Sequence, residues 1–365
     1  VKPKGSRYPV RWRRSCSVVA YWVDRQFIIH DYRRATVVSA DPIAARVLHH
    51  LADWRTLDAL CRDLAEFAPA SVRLSVRQLA RCGLLLEEGS QAARDDAAFR
   101  RVWSSWLPHA GMLHFGTKDM PYTTSDEMTT QRLRAYLKEA PQPASFKSLS
   151  TKLSPKKLSL PEAASPDSDF FHTLMSRRTH REFSSLALDL DRLATLLRYT
   201  WGTTGVMRDS LLGDLPLKTS PSAGARHPCE VYVAALRVNG LPRGLYHYAC
   251  DRHVLRPIPQ PITARRAVQY CAGQDWVKDA AAVFLITAVF ERSMWKYRFP
   301  RAYRTVLADA AHLTQTFCLV ATYLQLAPFC TMALKDSLIE RDLGIDGIKE
   351  SALYVAGVGL PVSQV

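Results

Sequence analysis

Nowhere does this sequence hold an apolar run long enough to cross a bilayer. The longest, Ala280 to Phe290, is closed off by Asp279 and Glu291. It has about half of the roughly 20 residues a membrane helix requires, and reads instead as a buried strand. No apolar segment follows the basic start Val1-Lys2-Pro3-Lys4, so no secretory signal is expected. None of the eight cysteines stands in a C-x-x-C spacing, which argues against a zinc knuckle and against a secreted disulfide framework. The expectation is a cytoplasmic protein with reduced, mostly buried thiols and no metal. Internal repeats are absent as well.

Acidic residues are scarce: 34 stand against 49 lysines and arginines, a net charge of +15. Part of the excess is local, because Lys2, Lys4, Arg7, Arg11, Arg13 and Arg14 form a basic arm with no acid among them. Such a balance suits an acidic partner, whether nucleic acid, a phosphate cofactor or an acidic peptide, and equally suits a merely solubilising surface.

A chain of 365 residues, 47% of them hydrophobic, accommodates one large domain with a small one, or two medium ones. Composition separates three regions: 1–90, 91–169 and 170–365. In the first, Phe27-Ile28-Ile29 and Thr36-Val37-Val38 flank a turn and predict a hairpin. Asp41-Pro42 opens a helix with the face Ile43, Val47, Leu48 and Leu51. Thr56 caps a second helix (Leu57, Leu60, Cys61, Leu64), and Val72, Val76 and Leu79 mark a third, which ends at Gly83 and passes into a strand. This order predicts a small winged-helix-like unit. The second region reads as an irregular connection, turning into a Pro-, Ser- and Lys-rich linker from Glu139 to Asp169. The third alternates helices and strands and predicts an α+β domain: a helix over Leu190 to Leu197, strands at Val231–Leu236, Ala281–Val289 and Tyr354–Val358, and a long core helix from Val306 to Leu324.

Three segments of that domain carry chemistry. Arg177-Arg178-Thr179-His180-Arg181 offers guanidinium groups and a hydroxyl, the donors of a phosphate clamp, or of a solvated basic turn. Pro221-Ser222-Ala223-Gly224 is small enough for backbone to approach a planar ligand, with the Ser222 hydroxyl as a possible partner for a heterocycle edge. Trp295-Lys296-Tyr297 sets a lysine beside a tyrosine with arginines nearby, a pattern for a usable base.

In this order and spacing the three segments, with Gly244-Leu245-Tyr246-His247-Tyr248, resemble the nitroreductase-like flavoprotein superfamily and within it the SagB/McbC-type peptide-maturation dehydrogenases. The resemblance covers about Phe170 to Gly359. It implies an FMN-dependent nitroreductase-like fold in a homodimer, with Arg177, Arg178 and Thr179 on the FMN phosphate, Pro221, Ser222, Ala223 and Gly224 along the isoalloxazine, Gly357 and Gly359 returning beside the phosphate, and Lys296 and Tyr297 as the catalytic pair. The implied activity is oxidation of peptide azolines to azoles. Asp309-Ala310-Ala311-His312 departs from the pattern in having alanine where glycine is usual. The tail after Leu360 lacks a basic residue for the phosphate, which leaves it more dependent on Arg177 and Arg178.

The stretch Val47 to Leu57 with Leu79 to Leu85 resembles the winged-helix leader-peptide recognition elements of peptide-modifying enzymes, which bind an extended leader as an added strand. It implies a precursor peptide as partner and a cyclodehydratase working upstream. Three other readings stay open: an NAD(P)H-dependent nitro or enone reductase on the same fold; a DNA-binding regulator with Arg73, Arg77 and Arg81 facing phosphates; and a catalytically silent partner that delivers peptide.

Overall fold

The computed structural model describes residues 9–119, 126–139, 168–210 and 213–362. Most of the Glu139–Asp169 linker, part of the basic arm and the last three residues lie outside them. No helix among the described residues is long and apolar enough to cross a membrane.

The N-terminal unit contains β1 (Arg11–Arg14), β2 (Val18–Val23), β3 (Gln26–Asp31), β4 (Thr36–Ser39), α1 (Pro42–His50), β5 (Arg55–Thr56), α2 (Leu57–Asp63), α3 (Pro69–Arg81) and β6 (Leu85–Glu87). The hairpin and all three helices appear where expected, and the Thr56 hydroxyl caps α2 by accepting from the Ala59 N–H at 3.2 Å. Val47, Leu48, Leu51, Leu60, Val72, Val76 and Leu79 are buried in one core with Ile29 and Leu85. Three strands were not anticipated, β1, β2 and the two-residue β5. β2 extends the hairpin into a meander ordered β2-β3-β4, and the polar strand β1 runs between β5 and β6 in a second sheet. The meander leaves β4 as an edge strand.

Residues 91–139 correct the expectation of an irregular connection. They form α4 (Gln91–Trp103), α5 (His109–Gly116) and α6 (Asp126–Glu139). The Ser90 hydroxyl caps α4 by accepting from Ala93 N–H at 3.1 Å. The apolar positions Ala93, Phe99 and Trp103 recur at helical spacing, but arginines and aspartates between them dilute the pattern. Phe99, Trp103 and Trp106 have no exposed surface.

The third region holds α7 (Asp169–Ser176), β7 (Leu188–Asp189), α8 (Leu190–Trp201), β8 (Thr203–Asp209), β9 (Gly213–Lys218), β10 (Cys229–Ala235), β11 (Val238–Asn239), β12 (Gly244–Ala249), β13 (Val254–Ile258), α9 (Ala264–Tyr270), β14 (Ala282–Val289), α10 (Phe290–Met294), α11 (Tyr303–Tyr323), β15 (Ala327–Thr331), α12 (Asp336–Leu343) and β16 (Glu350–Gly359). Six strands make one antiparallel sheet, ordered β13-β12-β10-β14-β16-β15. Because successive strand residues point to opposite faces, β14 serves two cores at once. Ala282, Phe284 and Ile286 pack with Leu193, Trp201, Val306 and Phe317 of α8 and α11. Val283 and Leu285 pack with Ala267, Tyr270, Ile339 and Leu343 of α9 and α12. Helices on both faces explain why the strand is apolar throughout rather than alternating.

α4 and α5 bind the N-terminal unit to this sheet. On one side the buried Asp96 accepts from Arg13 at 2.8 Å, from the Ser15 hydroxyl at 2.9 Å and from the Cys16 N–H at 2.9 Å. Gly111 lets α5 lie against Tyr32, whose ring a side chain there would meet at 3.1 Å. On the other side Trp103 Nε1 donates to the Ile348 carbonyl at 2.9 Å. The buried His114 pairs with the Tyr303 hydroxyl at 2.8 Å inside a ring of aromatic side chains.

All eight cysteines are free, as expected. Only Cys229, Cys271 and Cys318 are buried, and Cys82 is exposed, because its place at the end of α3 faces away from the core.

Candidate active site

The chain brings the Pro221–Gly224 loop and the Lys296–Tyr297 pair together. The loop leaves β9 and turns on Gly224, which sits at φ 60°. Ala225 and His227 also adopt positive φ, 54° and 42°, a conformation that is costly outside glycine and held only by surrounding contacts. Asp309, buried on α11, supplies them. Its carboxylate accepts from the Ser222 hydroxyl at 2.6 Å and from the Ala223 N–H at 3.4 Å. The Ser222 oxygen accepts in turn from the His227 N–H at 2.9 Å. The Ser222 hydroxyl, expected to face a ligand edge, is therefore turned into the protein, where it fixes the loop. Burial raises the Asp309 pKa above the usual carboxylate value, against the opposing pull of these hydrogen bonds.

A side chain on Gly224 would collide with the Tyr297 hydroxyl and come within 2.7 Å of Lys296 Nζ. The glycine thus leaves a small recess that the two functional atoms themselves fill. Lys296 is exposed and Tyr297 half-buried, and Nζ stands 5.7 Å from the centre of the Tyr297 ring. The pair is anchored from behind. Trp106 Nε1 donates to the Tyr297 carbonyl at 2.9 Å, so a side chain from α4–α5 fixes the backbone of the candidate base. Sequence reasoning missed Trp106 and the role of Asp309; Trp106 had only its size and apolar character as a signal.

The second group of candidate residues lies toward the other end of α11. Arg177 lies near Cys318 and Cys330; its positive charge adds to the hydrogen bond from Cys318 and the Tyr354 hydroxyl in lowering the Cys330 pKa. Arg178 is exposed, with one guanidinium nitrogen on the Met175 and Arg177 carbonyls at 2.9 and 2.8 Å. Thr179 is exposed. The segment is seated on the sheet by the His180 N–H on the Pro328 carbonyl and the Ser184 N–H on the Leu360 carbonyl, both at 2.9 Å. This is where Gly357 and Gly359 fall: a side chain on Gly357 would strike the Phe329 ring, and one on Gly359 would come within 2.7 Å of Phe183. Asp309 and Cys318 are about 13 Å apart along the helix at 1.5 Å per residue. Within one chain the arginines and the Lys–Tyr recess thus flank opposite stretches of α11. Neither Arg177 nor Arg178 has a carboxylate partner among the described residues, so both are free to take an anion.

An antiparallel sheet covered on both faces, a long helix beneath the loop and a glycine packed under a Lys–Tyr pair make up the candidate site of this α+β protein. The chain belongs to the nitroreductase family, whose model matches residues 174–360. Members of this family are flavin-dependent oxidoreductases. The trifolitoxin-processing protein TfxB of Rhizobium leguminosarum bv. trifolii is 27% identical over 361 residues, 92% of this chain and 96% of that protein. A protein of Methanocaldococcus jannaschii named as a nitroreductase is 32% identical over 186 residues, 51% of this chain and 88% of its own. Among solved structures, the E. coli microcin synthetase McbBCD complex aligns with a TM-score of 0.43 at 18% identity, over 66% of this chain and 96% of that one.

Two guanidinium groups without a carboxylate partner among the described residues suit the phosphate of a flavin mononucleotide, and the backbone of the Pro221–Gly224 loop beside Lys296 and Tyr297 suits the edge of its ring. Gly224→Ala tests the recess. The methyl group meets Lys296 and Tyr297 and strains a backbone at positive φ, at a cost of about 1–2 kcal/mol. Flavin content and turnover should both fall while the circular dichroism spectrum is kept; an unchanged variant excludes this recess.

His227 makes stability depend on pH. Its Nε2–H donates to the Pro216 carbonyl at 3.0 Å, and burial, then the nearby Lys218, lowers its pKa from 6.5 to about 4. Burial holds His114 lower than usual too. Between pH 6.5 and about 4 the unfolded chain binds more protons than the folded one, so stability is lost as pH falls through that window. The urea midpoint should drop across it, and His227→Gln should flatten the drop.

Proposed function

We propose that this protein is an FMN-dependent dehydrogenase of ribosomal peptide maturation that oxidises azoline rings to azoles. The observation that carries the reading is the extent of the likeness to the trifolitoxin-processing protein. It runs through the N-terminal unit as well as the sheet domain, over 92% of the chain, whereas the nitroreductase of M. jannaschii matches about half.

Lys296 Nζ takes the α-proton of the azoline, and the Tyr297 hydroxyl, beside it at the Gly224 recess, orients the base or shares its proton. The flavin, when bound, accepts the hydride leaving the ring β-carbon. Arg177, Arg178 and Thr179 hold its phosphate, with Gly357 and Gly359 behind them, while Pro221, Ser222, Ala223 and Gly224 border its ring. The separation of these groups along α11 favours a site completed by a second copy of the chain. Phe170, Phe171, Leu174 and Met175, all exposed on α7 immediately before Arg177, give that copy an apolar face to cover.

The N-terminal unit takes the leader. β4 is an edge strand with unpaired backbone groups, and beside it a cleft of about 450 Å³ runs between β4 and α3, bordered by Val38, Ile43, Ala44 and Leu79. An extended peptide adds to such an edge and sets side chains in such a cleft. The DNA-binding reading draws less support, since Arg73 is paired with Asp58 at 2.8 Å and Arg77 bonds the Arg73 carbonyl.

The test is direct. Purified protein should be yellow, release FMN on denaturation, and remove two hydrogens from a thiazoline-bearing peptide under air. Rapid bleaching by NAD(P)H with no action on the peptide would instead identify a reductase.

A further inference from the structure

A second cleft, of about 430 Å³, opens beside the Pro221–His227 loop, between the β8–β9 hairpin and the β12–β13 hairpin. Its lining is unusually charged: five lysine and arginine side chains face two carboxylates. The carboxylates are already neutralised. Glu230 lies between Arg292 at 2.6 Å and His247 at 2.8 Å, and Asp251 faces Arg252 at 3.5 Å. Lys218, Arg226 and Arg256 have no carboxylate partner among the described residues. Lys218 reaches only the Cys250 sulfur, at 3.5 Å. Arg226 stacks over Trp295 at 5.4 Å, and its Nε is buried with no acceptor. Arg226 itself lines the cleft, where its remaining guanidinium N–H groups would give an entering anion charge-assisted hydrogen bonds.

The position of the cleft says what kind of anion. Arg226 is two residues from Gly224 and rests on the residue preceding Lys296. A chain whose reacting ring sits at the Gly224 recess therefore passes the cleft with a neighbouring side chain. The outer wall is β13, the exposed edge of the main sheet, where Arg256 stands in the open.

We propose that this cleft is a specificity subsite for a carboxylate side chain of the substrate peptide, close in sequence to the residue being oxidised. This rests on the peptide-oxidation reading above. Lys218 and Arg256 select the charge, and Arg226 makes the directional bond. A subsite of this kind discriminates between peptides, since a neutral isostere leaves the Arg226 N–H unpaired.

Binding tests it without turnover. A fluorescein-labelled peptide of alternating Gly and Asp, and its Asn counterpart, are titrated by anisotropy against the full chain at physiological salt. The Asp peptide should bind about tenfold tighter or more. Arg256→Glu and, separately, Lys218→Gln should remove most of that preference. Arg265→Glu, the same charge reversal on the exposed side of α9, should change it less than about twofold. Equal loss in Arg265→Glu means a diffuse charge effect and overturns the subsite, as does equal binding of the two peptides. Inorganic pyrophosphate or NADPH displacing the Asp peptide well below the concentration at which glutamate does would assign the cleft to a phosphate ligand and overturn it also. A preference that survives in a protein unable to oxidise a thiazoline would separate the two readings, leaving the cleft standing and the activity refuted.

Discussion

Lys296→Ala should abolish peptide oxidation while leaving the protein yellow. The side chain is exposed where it lies over Gly224 and the Tyr297 ring, so its removal should change stability by no more than about 0.5 kcal/mol. A positioned general base is worth about 10²- to 10⁴-fold in rate. The loss should appear in kcat at unchanged flavin content, measured by absorbance and by single-turnover formation of the azole. Tyr297→Phe should lose less, because the base remains and only its hydroxyl neighbour is gone. A Lys296→Ala enzyme with wild-type kcat would falsify the assignment of the base.

Trp106→Ala should be strongly destabilising. The indole has no exposed surface and touches Trp103, Phe290 and Tyr303 edge-on. Emptying such a site costs about 3–5 kcal/mol, and the Tyr297 carbonyl loses its donor as well. Trp106→Phe separates the two effects. It keeps most of the ring but not the N–H, so the denaturation midpoint should fall only modestly. If the hydrogen bond positions the Lys–Tyr pair, kcat should drop while KM for the peptide stays near its original value. A variant whose kcat follows stability alone would make Trp106 a packing residue only.

The periodic elements were legible in the sequence. The run Ala280–Phe290 could only be a buried strand, and the 3.6-residue recurrence from Val306 to Leu324 marked α11. α4 was not legible, because its apolar stripe is narrow and crowded by Arg94, Asp95, Asp96, Arg100 and Arg101. β1 escaped for a related reason: Arg11-Trp12-Arg13-Arg14 has no alternation, and its strand character comes from partners more than 40 residues away. At the site, the Gly224 loop and Lys296–Tyr297 could be singled out by residue type, and the structure places them side by side. Asp309 and Trp106 bond loop and backbone groups brought close only by folding, and such bonds leave no pattern along a chain. Ser222 shows the converse, a residue singled out for its hydroxyl, which turns inward onto Asp309.

The bolt formed by α4 and α5 limits how this protein can be recombined. Tyr32, Phe99, Trp103 and Trp106 share one core with Phe290 and Tyr303, so a junction placed among the described residues between the N-terminal unit and the sheet cuts through packed aromatics. A chimera that exchanges residues 1–90 alone would meet a foreign surface at Asp96 and Gly111. One that carries residues 1–119 would move the break to Lys118–Glu340 and the Trp106–Tyr297 bond. On the proposed reading, a change of leader is therefore better made by rewriting the β4 edge in place than by exchanging modules.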